Sequence, residues 1–138
     1  MSGLLDKTAQ ALQASANFRT LRNRVTASNI ANAETPGYTA KVVDFEEALS
    51  RAIDHEGMGK VHADGQDHFL MGQGAISHAR ADVYDNPDIN VTNDKNTVDM
   101  EKEMAALSEN TILYKAAIQL INKKLGSLKY AITEGGGR

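Results

Sequence analysis

An unbroken apolar stripe between Asn96 and Thr133 constrains this chain more than any other feature. Met100, Met104, Leu107, Thr111, Tyr114, Ile118, Ile121, Leu125, Leu128 and Ile132 recur at alternating spacings of four and three, the period of one face of a long helix. Written as heptads, Met104, Thr111, Ile118, Leu125 and Ile132 occupy a, and Leu107, Tyr114, Ile121 and Leu128 occupy d, which is a coiled-coil seam with one polar member. Asn96 or Thr97 is the expected N-cap. Asp99, Glu101 and Glu103 follow in the first turns, and Lys123, Lys124, Lys129 and Gly135 mark the far end, so charge order agrees with the helix dipole. Such a helix runs about 50 Å, whereas a compact domain of this size is only about 40 Å across. It should outgrow any globule the chain can make.

Composition narrows the class. The 138 residues, 41% hydrophobic and 24% charged, suit a single folded unit, and at 5% aromatic its core must be built from aliphatic side chains and alanine, as in helix packing. A net charge of -3, with bases scattered among acids, leaves no basic face for phosphate neutralisation, so nucleic acid is not an expected partner. There is no cysteine, which removes disulfides and thiolate metal sites. No apolar run has the length of a membrane span, and Met1 to Leu12 lacks the apolar centre of a signal peptide, so export, if it occurs, is expected without cleavage.

A second helical pattern covers Leu4 to Asn32. Leu4, Ala11, Ala14, Phe18, Leu21, Val25 and Ser28 form one stripe, and Leu5, Ala9, Leu12 and Ala16 an adjacent one. The small alanines permit close approach of another helix. Pro36 disfavours helix at Thr35, and Pro36-Gly37 suits the two central positions of a type II turn. Tyr38, Ala40 and Val42 alternate with Thr39 and Lys41 as a short extended piece. Asp44, with Glu47 three residues on, is read as the capping box of a small helix whose apolar face is Phe45, Ala48, Leu49, Ala52 and Ile53, ending before Gly57. From Asp54 to Lys95 glycines and all four histidines cluster, giving loops and at most a short hairpin. The expected fold is mainly α. A helix in 1–35 pairs antiparallel with one in 96–138 as a coiled coil, and 36–95 forms a small irregular appendage with one short helix. Phe18, Leu21 and Val25 are placed on the seam opposite Met104, Leu107, Tyr114, Ile118, Ile121, Leu125 and Leu128. Ile112, Leu113 and Leu120 lie off that seam, so one partner helix cannot bury them and a face toward other chains is expected.

No catalytic, cofactor or metal site is predicted. His55, His62, His68 and His78 lack the i, i+4 spacing of helix-borne zinc ligands and read as solvated loop residues. An EF-hand counted from Asp88 would need Gly at Asn93 and Glu at Asp99, so Asp85 to Asp94 reads as a turn-rich linker. Gly57-Met58-Gly59 and Gly72-Gln73-Gly74 lack the rest of a dinucleotide fingerprint, and no serine sits in a glycine-flanked elbow. Arg19, Arg22 and Arg24 have few acids near them in sequence. They read as a solvated helix face, with a partner-binding patch as the alternative.

The run Ser28-Asn29-Ile30-Ala31-Asn32-Ala33-Glu34-Thr35-Pro36-Gly37-Tyr38 resembles the signature of the flagellar rod, hook and hook-associated axial proteins, carried by Asn29, Ala31, Asn32, Thr35, Pro36, Gly37 and Tyr38. Asn96 to Met104, continuing through Glu109-Asn110 to Tyr114, looks like the C-terminal region of the proximal rod members. Lys95 departs from the pattern, which usually has Gly there. The resemblance covers about half the chain and implies a structural, non-enzymatic subunit of the basal-body rod. It would be exported uncleaved through the flagellar type III apparatus, and it would assemble helically in the periplasmic space. The implied partners are copies of itself, other rod proteins, and the adaptor and inner-membrane ring proteins at the rod base. A rival of another class is a soluble helical adaptor or chaperone-like module using the same stripe for one partner; a histidine-dependent metallohydrolase is a distant third.

Overall fold

The computed structural model describes residues 7–57, 75–86 and 94–134. In chain order these form α1 (Lys7–Ala31), β1 (Lys41–Asp44), α2 (Glu46–Gly57), the single turn α3 (Ala75–His78), β2 (Asp82–Asp85) and α4 (Met100–Glu134). The two long helices pack together antiparallel. Near one end of the pair Asn29 of α1 meets Glu103, midway Arg19 and Asn23 meet Asn110, and farther along Ala9 and Gln13 share a cleft with Ile121 and Leu128.

The faces that meet are not those the periodicity assigned. On α1 the larger apolar stripe, Ala11, Ala14, Phe18, Leu21 and Val25, turns away from α4 and covers a core of Val43, Phe45, Leu49, Ala52 and Ile76 contributed by β1, α2, α3 and the residue between β1 and α2. Phe18 and Phe45 stack obliquely, with ring centroids 5.2 Å apart. Placing Phe18, Leu21 and Val25 on the helix-pair seam is therefore corrected: the middle segment has its own large apolar side chains, and only this stripe can bury them. The α4 side of α1 is the small and polar one, with Ala9, Ala16, Thr26 and Asn29 buried.

α4 is rotated correspondingly. Its buried residues are Asn110 and Ala117, flanked by half-buried Glu103, Leu107, Tyr114, Ile118, Ile121 and Leu128. Met104 and Leu125, expected on the seam, are 52% and 49% exposed. Asn110 explains the rotation. Its amide donates to Arg19 O (2.7 Å) and Asn23 Oδ1 (2.8 Å) and its oxygen accepts from Arg19 Nη1 (3.1 Å), which draws the polar position to the centre of the contact.

Three helix and strand boundaries also shift. Asp99, not Asn96 or Thr97, caps α4, its Oδ1 accepting from the amides of Glu101 (3.1 Å) and Lys102 (3.2 Å). Asp44 is the last residue of β1 and does not open α2. Phe45 takes the position before that helix, its carbonyl accepting the Leu49 amide at 2.8 Å. The extended piece lies later than Tyr38 to Val42: β1 covers Lys41–Asp44 and pairs antiparallel with β2, Lys41 to Asp85 and Asp44 to Asp82, with α2 and α3 between them in the chain. β1's other edge is closed by side chains of α1. Asn29 exchanges hydrogen bonds with both Lys41 backbone groups, and Arg22 donates to Val43 O from Nε and Nη2.

After α1 the Tyr38 amide donates to Thr35 O at 3.3 Å, and Gly37 sits at φ 71°, the geometry of a type II turn with Pro36 and Gly37 central. A Cβ at Gly37 would meet nothing within 4 Å, so a substitution there costs backbone strain and not a clash. Gly37→Val should destabilise by about 1–2 kcal/mol, with Gly37→Asn markedly milder, as read from urea midpoints. Equal stability of the Val, Asn and Gly proteins would show that the turn does not hold this geometry.

Candidate functional site

The signature residues converge where α1 ends and α4 begins. Asn29 is wholly buried and uses its full hydrogen-bonding capacity. Nδ2 donates to Lys41 O (2.7 Å) and Glu103 Oε1 (3.1 Å), and Oδ1 accepts from Lys41 N (3.0 Å) and the Tyr38 hydroxyl (3.2 Å). One side chain thus joins α1, β1, the turn and α4. Asn32 steadies the turn locally, donating to Ser28 O and accepting from Thr35 Oγ1. Ala31, Thr35, Pro36 and Gly37 are exposed, Gly37 donating its amide to Asp94 O at 2.9 Å.

Asn96 closes the junction from the other side. It is 1% exposed, and its Nδ2 lies 2.8–2.9 Å from the carbonyls of Asn32, Ala33 and Thr35, while its Oδ1 accepts the Val98 amide at 2.8 Å. Three carbonyls of the turn that follows α1 are thereby tied to a residue more than sixty positions away. Thr97 adds two links, donating its amide to Tyr38 O and accepting the Ala40 amide at its hydroxyl. Lys95, which stands where the resembling proteins usually carry Gly, adopts φ 63°, the left-handed conformation that glycine tolerates best.

Two charged residues near this junction, Arg22 and Glu46, are committed to structure. Arg22 pairs with both Glu46 oxygens at 2.7 Å and its guanidinium lies 4.5 Å from the Phe45 ring centroid. Burial pushes the Glu46 carboxyl up, but the Arg22 hydrogen bond and charge, with the Glu46 and Phe45 backbone, more than offset it and the group titrates below its ordinary value. Burial also pushes Glu103 up. There the Asn29 hydrogen bond opposes the shift, Asp99 adds to it, and the carboxyl stays above its ordinary value. Of the three arginines, Arg19 and Arg22 bind other parts of the same chain and Arg24 is exposed. A cleft of about 290 Å³ between α1, β1 and α4 is lined by Arg22, Glu46, Glu103, Glu109 and Leu113 among others. Among the described residues no three His, Cys, Asp or Glu side chains come together as a metal site, and His78 is exposed on α3. His62, His68, Asp88 and both glycine pairs beyond Gly57 lie outside the described residues, as does the His55 side chain.

The outer face of α4 is the other feature. Ile112, Leu113 and Leu120 are 67%, 41% and 53% exposed, and Tyr130 and Ile132 are exposed farther along. A helix already paired with α1 thus holds large apolar residues outside that contact.

The family described as flagella basal body rod protein matches residues 8–39, the span of α1 and the signature turn. A flagellar basal body rod protein FlgB of Cereibacter sphaeroides is 36% identical over 132 residues, covering 96% of this chain and 98% of the relative. The chain belongs to the FlgB family. FlgB of Aeromonas hydrophila is 32% identical over 127 residues (92% of this chain, 93% of that protein), and FlgB of Salmonella typhimurium strain LT2 is 30% identical over 134 (95% and 96%). In this FlgB-family chain, sequence reasoning found the signature turn but missed what Asn29, Asn96 and Asn110 do. A detectable signal existed for Asn110, a polar residue one position from the apolar stripe; for Arg22 and Glu46 there was none, because their partnership is created by the fold.

Proposed function

We propose that the chain is a structural subunit of the flagellar basal-body rod. In this reading it is built into the base of the rod through its helix faces, against copies of itself and other rod proteins. The observation that carries this is α4: in a chain with full-length likeness to basal-body rod proteins, its longest helix presents Ile112, Leu113 and Leu120 to solvent beside an already satisfied helix pair. Burial of such partly exposed side chains against neighbouring chains contributes on the order of 1–2 kcal/mol each, a gain the single chain does not have. The adaptor and ring proteins at the rod base, passage through the type III export apparatus without cleavage, and a periplasmic position belong to the same reading. No helix among the described residues is long and apolar enough to cross a membrane. The adaptor-module alternative has no observation in its favour that the rod subunit lacks. Deleting the gene in its own bacterium should abolish motility and leave basal bodies without a rod, with a plasmid copy restoring both; motile deletion cells would refute the assignment.

A further inference from the structure

Beside the contact with α1, α4 carries a second stripe with spacings of four and three, centred on Glu109, Leu113, Ala116, Leu120 and Lys123, all exposed. This stripe is its own complement when reversed. Glu109 and Lys123 each lie seven residues from Ala116, while Leu113 lies three before it and Leu120 four after. An antiparallel copy crossing at Ala116 therefore sets Glu109 against the other copy's Lys123 and Leu113 against its Leu120, all within about one residue's rise of 1.5 Å. Neither Glu109 nor Lys123 has an ion pair among the described residues, and alanine at the crossing allows close approach of the two helices. Other registers do worse. Parallel copies in register oppose Glu109 to Glu109, and parallel copies staggered to pair Glu109 with Lys123 bring Leu113 against Ser127 and lose the leucine contact.

We infer that this stripe binds a second copy of the chain in a two-fold antiparallel dimer centred on Ala116. The dimer would form whether or not the chain is a rod subunit. If it is one, which rests on the reading above, the closed dimer hides Leu113 and Leu120 and competes with open, head-to-tail incorporation, because an isologous contact ends with two copies and cannot propagate. The stripe is short for an interface, so the dimer is weak and in exchange with monomer.

The natural chain has no cysteine, so single cysteines report the crossing cleanly. Ala116→Cys in the full chain should oxidise to a disulfide dimer at least about tenfold faster than Lys115→Cys, which is turned about 100° around α4 and off the stripe, because only the first brings its own copy within disulfide reach. Sedimentation equilibrium should show Glu109→Lys and Lys123→Glu each weakening dimerisation about tenfold, two pairs being lost at once, and the double reversal restoring it to within about threefold. Equal oxidation rates for the two cysteines, or a double reversal that associates no better than the singles, would overturn the two-fold dimer. Circular dichroism checks that each variant keeps its helices. A variant that loses them is replaced by Glu109→Gln with Lys123→Gln, for which the dimer predicts weaker association than wild type and its absence predicts no change.

Discussion

Replacing Asn29 by Ala should destabilise the protein by about 3–4 kcal/mol, which is large for the loss of one polar side chain. The change strands both Lys41 backbone groups at the inner edge of β1, removes the Tyr38 hydroxyl's acceptor, and takes from Glu103 the hydrogen bond that holds its carboxyl down. Glu103 then titrates farther above its ordinary value. A carboxyl raised in the folded state stabilises the fold below its unfolded pKa, and that contribution is lost as pH rises through the folded pKa. The deficit of Asn29→Ala should therefore be greatest at neutral pH and shrink in mild acid, as urea titrations at the two pH values would measure. A deficit under about 1 kcal/mol at neutral pH would mean the four bonds do not act as the joint between α1, β1, the turn and α4.

Asn96→Asp should be as damaging, about 3–5 kcal/mol, and worse than Asn96→Ala. Asp can still accept the Val98 amide, but it sets a carboxylate oxygen where an NH2 group faced the carbonyls of Asn32, Ala33 and Thr35. The comparison separates two roles. At a helix N-cap Asp and Asn are nearly equivalent, so if Asn96 were the cap, Asp would be tolerated. Removing the true cap with Asp99→Ala should cost only about 1 kcal/mol. An Asn96→Asp protein as stable as wild type would restore the capping role and remove the latch between the two helix ends.

Local features were legible in the sequence. The stripe of α4, the pattern of α1 and the Thr35 to Tyr38 turn depend on residues within one or two turns of each other, and the fold follows them. What was not legible depends on distant partners. Two four-residue strands separated by two helices leave no local signature, and the true neighbour of Phe18, Leu21 and Val25 appears only when Phe45 and Ile76 are brought beneath them. The phase of the helix pair was misread because the apolar stripe of α4 is wider than its contact, while Asn23, Asn29 and Asn110, which look like surface residues, lie within that contact. Asn96 was ambiguous for a related reason, since an N-cap and an interhelical latch call for the same side chain. The outer face at Ile112, Leu113 and Leu120 could be picked out because those residues fall off the heptad; its occupant could not, because no residue of the same chain supplies it.

The central claim, that α4 carries a surface reserved for neighbouring subunits, is tested most directly by the yield of rods in basal bodies purified from cells expressing Leu113→Gln with Leu120→Gln. Both side chains are already exposed in the single chain, so helix content by circular dichroism should match wild type. About half of each side chain is already covered in the single chain, so each lost burial against a neighbour removes on the order of 1 kcal/mol per subunit from the contact. The account predicts a folded, exported subunit and basal bodies without stable rods. Rods recovered from that double variant in normal yield and stability would contradict it.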